Sequence, residues 1–178
     1  MLSTIDKVDT DAAPPSSFSH TTSSIPWTNI KDDPLKMCSF TTEKLTNYFV
    51  HCKDRDGLER QDWKSLNSGG YRLFAEGHVQ DVMIKVNNGD CLIKANVLPE
   101  MKKDKKYAVS ATINQQTNDV VEAACSCPAG RGPQGSCKHL AALCFCVESF
   151  VRARDVFLDL GEEACTAALQ KWNQPRKR

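Results

Sequence analysis

Cys125-Ser126-Cys127-Pro128-Ala129-Gly130-Arg131-Gly132-Pro133-Gln134-Gly135-Ser136-Cys137-Lys138-His139 is the stretch where one periodicity ends and another begins. Before it, apolar residues recur at every second position, the mark of strands. After it they recur at helical spacing. The stretch also holds four soft donors: Cys125, Cys127, Cys137 and His139. Thiolate and imidazole are what Zn²⁺ prefers, and a closed set of four marks a structural site, without the open position that catalysis needs. In an extended strand residues i and i+2 point the same way, so the sulfurs of Cys125 and Cys127 can converge on one ion. On a helix the same spacing separates side chains by about 200°. Cys137 is therefore expected at or before the first helical turn, with His139 just inside it and Ser136 as the cap. Between the pairs, Gly130, Gly132, Gly135, Pro128 and Pro133 read as loop throughout, the glycines letting backbone N–H groups approach the thiolates.

Working upstream, Val121, Ala123, Cys125 and Cys127 are expected on one face of a strand, and Tyr107, Val109, Ala111 and Ile113 on one face of the strand before it. Cys91, Ile93, Ala95 and Val97 alternate in the same way, and so do Val82, Ile84 and Val86. Asn87-Asn88-Gly89-Asp90 is a hairpin turn and Asn114 to Asn118 another, so the strands form an antiparallel meander. Before Gly77 two short helices are predicted. One spans about 42–51, capped by Thr42, with Leu45, Tyr48, Phe49 and Cys52 on its apolar face. The other spans about 61–68 and stops at Gly69-Gly70. Downstream, Leu140, Leu143, Cys144, Val147, Phe150 and Val151 stripe a helix over about 137–152, and a further helix is expected near 161–172. The fold class is α+β: a small meander followed by a helix, joined by zinc. Residues 1–34 form a Ser/Thr/Asp/Pro-rich disordered tail, 35–76 a short helical segment, 77–155 the meander with its metal site, and 156–178 a C-terminal helix with a basic tail.

The formal net charge is +1, which excludes a chain devoted as a whole to gripping polyanions. It is unevenly spread: 1–34 carries −3 and the remainder +4. The longest apolar run, Leu140 to Val147, falls far short of the ~20 residues a membrane span needs. There are 9 cysteines, and no basic and apolar leader opens the chain. Metal binding in a reducing compartment, nucleus or cytoplasm, is thus the expected use of cysteine rather than disulfides. Cys144, Cys146 and Cys165 lie in apolar helical patterns and read as core, while Cys38, Cys52 and Cys91 have no ligand-spaced partner. Trp27 stands alone in the tail as a stray or a docking anchor.

Cys-x-Cys, a short loop, then Cys-x-His at a helix start resembles the SWIM-type zinc finger. The surrounding residues share the likeness: Cys125-Ser126-Cys127-Pro128-Ala129-Gly130, Gly135 to Leu143, Gly77 to Val82, Val97-Leu98-Pro99 to Tyr107, and Lys171 to Arg178. The resemblance covers roughly 40–178 and implies a zinc-binding module that recognises DNA or protein without a catalytic site of its own. In animal proteins this segment commonly precedes a YqaJ-type exonuclease domain, so the alternative is the N-terminal part of a nuclease whose catalytic domain lies beyond residue 178. Glu100-Met101-Lys102 superficially fits a Glu-x-Lys nuclease signature but lies in a charged connector without an acidic partner. Candidate basic contacts are Lys102, Lys103, Lys105, Lys106, Arg131, Lys138 and Arg176 to Arg178.

Overall fold

A computed structural model describes residues 25–33, 36–53, 56–101 and 105–160, with side chains through Asp155. The predicted helix near 161–172 and the basic tail lie outside the described residues. Five strands form one antiparallel sheet in sequence order: β1 (Thr28–Asn29), β2 (Val79–Asn87), β3 (Asp90–Val97), β4 (Tyr107–Asn114) and β5 (Val120–Cys125). The β2–β3 hairpin turns through Asn88 and Gly89, whose φ values of 52° and 82° are those of the tight mirror-image turn that matches strand twist. Cys91, Ile93, Ala95 and Val97 of β3 face the core together with Val109, Ala111 and Ile113 of β4, as the alternation requires.

Two features of the sheet depart from the sequence reading. Val121 is 58% exposed rather than core-facing. Ile113 pairs with Val120 while Thr112 pairs with Glu122, so Val121 is the extra residue of a β-bulge. The bulge resets the alternation, and Ala123 and Cys125 then return to the buried side. The other departure is β1. The expected tail of residues 1–34 already belongs to the sheet at Thr28–Asn29, which pair with Ile84 and Met83, and Ile30 is buried. Trp27 lies beneath the Lys94 ammonium, 4.2 Å from its ring centroid, a cation–π contact with β3.

Helices cover the buried face of the sheet. α1 (Thr42–Thr46) is capped by Thr41, not Thr42, its hydroxyl accepting from Lys44 N–H at 3.4 Å. It widens into a π-helical turn over Asn47–His51, which buries Val50 beside Tyr48 and Phe49 and leaves Cys52 partly exposed. The second helix does not stop at Gly69-Gly70. A π-helical stretch (Ser65–Gly70) runs directly into α2 (Tyr71–Ala75). The glycines are there for contact. A Cβ on Gly69 would sit 2.7 Å from Lys138 Cβ, and one on Gly70 would sit 2.3 Å from Ala141 Cβ. The helix ends instead at Gly77, with φ 76°, where His78 N–H donates to Leu73 O at 2.9 Å and Gly77 N–H to Phe74 O at 3.0 Å. These two bonds are those of a Schellman cap. α3 (Lys138–Leu160) outlasts the predicted 137–152 and buries Leu140, Leu143, Cys144, Val147 and Val151. Burial pushes the Cys144 thiol up to about 12, in keeping with a core residue. No helix among the described residues is long and apolar enough to cross a membrane.

Candidate metal centre

The end of β5, the loop after it and the start of α3 converge at one point. Cys125 is the last residue of β5, and Cys127 continues the extended backbone with φ −76° and ψ 156°. Ser126 keeps that continuation against β4: its N–H donates to Ala108 O at 2.9 Å, and Ala108 N–H donates to its Oγ at 3.0 Å. The chain then makes a 3₁₀ turn at Pro128–Gly130, where plain loop was expected. Residues 133–135 return along the free edge of β5. Ala123 N–H donates to Pro133 O at 2.8 Å and Gly135 N–H to Ala123 O at 2.7 Å, a parallel bridge that covers the edge.

Ser136 does not cap α3. Its hydroxyl donates to Asp62 Oδ2. The cap position belongs to Cys137, whose carbonyl accepts from Ala141 N–H at 3.0 Å. His139 follows in the first turn, as its spacing requires.

The four predicted residues are brought together. Cys125, Cys127, Cys137 and His139 are all buried, and one ligand atom from each lies within 4.8 Å of every other. The set can hold a metal ion. One sulfur has a backbone donor, Cys127 N–H toward Cys125 Sγ at 3.5 Å, and Gly130 N–H donates to Cys127 O at 3.2 Å to close the turn beside the sulfurs. The first of these offsets thiolate charge. His139 is 6% exposed, its Nδ1 lies 3.9 Å from Cys125 Sγ, and its Nε2 has no hydrogen-bond partner. A buried imidazole without a conventional partner is costly by itself, and a coordinated cation would compensate it. Burial raises the Cys127 thiol, and contact with Cys125 followed by burial pushes Cys137 up to about 12. A bound cation must therefore displace protons from these sulfurs.

Several residues outside the quartet shape the site, and of these only Gly130 carries a local signal in the sequence. Gly130 fills the cradle between the sulfurs: a Cβ there would meet Cys125 Cβ at 2.5 Å and Cys137 Sγ at 2.9 Å. The Tyr107 ring covers His139 at 4.4 Å between centroids and 31° between planes, with Lys105 Nζ 5.0 Å from the Tyr107 centroid. Buried Tyr48 donates from its hydroxyl to Gly135 O at 2.8 Å, so α1's π turn grips the loop next to Asp62's hold on Ser136.

Glu100 accepts from Arg72 and, at 3.2 Å, from Lys138 Nζ, tying the β3–β4 connector to α2 and α3. Those two cations hold its carboxyl below the usual range. Among the candidate basic residues, Lys105, Lys106 and Arg131 are exposed and Lys138 is occupied by Glu100; Lys102, Lys103 and Arg176 to Arg178 lie outside the described residues. Comparison with protein families, with curated proteins and with solved structures returns no match.

Proposed function

We propose that the chain is a SWIM-type module in which Zn²⁺, bound by Cys125, Cys127, Cys137 and His139, clips the end of β5 to the first turn of α3. The module serves recognition of DNA or protein in the nucleus or cytoplasm and carries no catalytic centre. One observation carries this reading: four soft donors, all buried, with ligand atoms within 4.8 Å of one another. Three thiolates and one imidazole complete a tetrahedral set, so the ion would be closed to substrate and its contribution would be to the fold. The exposed Lys105, Lys106 and Arg131 around the connector and the metal loop offer cations to a polyanion.

Native mass spectrometry of the full chain tests the metal. One zinc per chain is expected, retained in Cys146→Ser and lost or weakened in His139→Ala; a folded, metal-free chain refutes the reading. Fluorescence anisotropy with duplex DNA at increasing salt tests the partner. Phosphate contacts require affinity to fall steeply as salt rises. Absence of DNA binding at low salt assigns recognition to a protein partner.

A further inference from the structure

The helices lie on one side of the sheet, and among the described residues the other side is open. Lys94, Ala108, Ser110 and Ser126, which alternate with core-facing neighbours, are exposed there. A trough of about 600 Å³ runs across this side. Its floor is Ala108, Ser110, Ala124 and Ser126, with Met83 and Lys94 lining it toward β1. Ser126 sits at its metal end, between Cys125 and Cys127.

Trp27, which stands alone in the sequence, lies on the same side. Thr28 pairs with Ile84, so Trp27 stands level with Lys85, and the Lys94 ammonium rests 4.2 Å from its ring centroid. Lys85 pairs with Leu92, two residues before Lys94. The two lysines are therefore diagonal neighbours on one face, about 7–8 Å apart. An indole with two cations beside it can hold a base by its face and the adjoining phosphates by their charge. Asp81 adds a group that reads edges. Its φ is 55°, in the left-handed region, where the register of β2 against β3 shifts between Gln80 and Met83. Such a bulge re-aims a side chain. Asp81 lines the trough, and its Oδ2 accepts from Asn96 Nδ2 at 3.1 Å. A carboxylate beside an amide matches the amino and ring-nitrogen groups on base edges. The acids Asp90 and Glu122 lie outside the trough.

We propose that this open side of the sheet binds single-stranded nucleic acid. The assignment rests on the recognition role proposed above and names its ligand. One base stacks on Trp27 and displaces the Lys94 ammonium, which turns to the phosphate, while Lys85 meets the next phosphate. A neighbouring base enters the trough with its edge on Asp81 and Asn96, and the small floor leaves room for it. A duplex suits this surface less. Its base edges are read by an element that enters a groove, and a trough has nothing projecting to do so. A protein partner's anchors ask for well-packed apolar pockets, whereas this floor is methyl and hydroxyl groups.

The test uses the full chain supplied with Zn²⁺ and measures fluorescence anisotropy of labelled mixed-sequence single-stranded DNA and RNA of about 12 nucleotides, and of the same DNA as a duplex. At least one of the single strands should bind more tightly than the duplex. Trp27→Ala should weaken that binding about 5- to 150-fold, the cost of one lost base stack, and Trp27→Phe should retain most of it. Trp63→Ala, in the helical layer and 46% exposed, should leave it unchanged. Lys94→Gln should lower the slope of log affinity against log salt by about 0.7. A single strand carrying 4-thiothymidine, photo-cross-linked to the unaltered chain, should label the peptides that carry Trp27 or Lys94, so the result stands even where a variant fails to fold. Tighter binding of the duplex, equal loss from Trp27→Ala and Trp63→Ala, or adducts confined to other peptides overturns the proposal. Failure of every nucleic acid to bind overturns it too and leaves the face to a protein partner. Zinc stoichiometry by native mass spectrometry is read independently, so the metal centre stands or falls apart from this face.

Discussion

Gly130 shows how much of the metal centre is decided by an absent side chain. Its missing Cβ leaves room for the sulfurs of Cys127 and Cys137, and its N–H donates to Cys127 O at 3.2 Å. Gly130→Ala puts a methyl group 2.9 Å from Cys137 Sγ, inside van der Waals contact, so the quartet must spread. Metal affinity should fall about 10- to 100-fold, the usual cost of disturbing the surroundings of ligands, measured by competition with a chromophoric chelator. Unchanged affinity would show that the loop relaxes without moving the sulfurs. Tyr107 acts on His139 through its ring face, 4.4 Å away, and its hydroxyl has no part in that contact. Tyr107→Phe should therefore preserve affinity. Tyr107→Leu should lose the ring–ring component, about 0.5–1.5 kcal/mol, or about 2- to 12-fold in Kd. Cobalt substitution gives an independent readout, since a displaced imidazole alters the visible bands of the bound ion. Equal effects from both variants would mean that the hydroxyl matters and the stack does not.

At the scale of elements, the helix through Gly69-Gly70 packs against α3 at Lys138 and Ala141, on either side of His139. Gly70→Ala sets one methyl 2.3 Å from another and should destabilise the fold by about 1–3 kcal/mol as overpacking. Urea denaturation would register this as a lower midpoint at unchanged slope; an unshifted midpoint would mean the helices slide apart freely. The same glycines explain why this helix was misjudged from sequence. A Gly pair is both a common helix stop and the closest helix–helix contact, and only the partner helix distinguishes the two. The strands were legible because β3 and β4 repeat strictly at period two, and the four ligands because two close pairs sit at the end of a strand and the start of a helix. Val121 was misread because a bulge inserts one residue without changing composition. Tyr107, Tyr48 and Asp62 could not be read as parts of the site, since each reaches it from a remote segment.

Across the whole molecule, the metal centre is continuous with the core, since Cys125, Cys127 and Cys137 belong to the same buried cluster as Phe40, Leu45 and Ile93, but the two differ in what holds them. Phe40, Leu45, Phe49, Ile84, Ile93, Val97 and Ile113 are fully buried in elements outside the loop, and the β3–β4 ladder pairs every residue from Asp90–Asn114 to Val97–Tyr107. By contrast, the loop from Ser126 to Ser136 rests on the bridge to Ala123, on Tyr48 and Asp62, and on the quartet itself. Such a segment would draw a large share of its order from a bound ion, while the ladder would draw little. Metal at about a hundred times its Kd should stabilise the chain by about 2.7 kcal/mol, which is about 5–10 °C in Tm for a chain of this size. Removing it with a chelator should therefore lower Tm by that amount without abolishing the cooperative transition. Hydrogen exchange locates the loss. Amides of 126–141, and Ala108 whose N–H donates to Ser126 Oγ, should exchange faster in the metal-free chain, while the other amides of β3 and β4 keep their protection, because their ladder hydrogen bonds are made within the sheet. Uniform loss across the sheet would instead make the ion a condition for folding as a whole, as in the smallest zinc domains. No change in the loop would mean that Tyr48 and Asp62 suffice to hold it and that the quartet contributes nothing to its order.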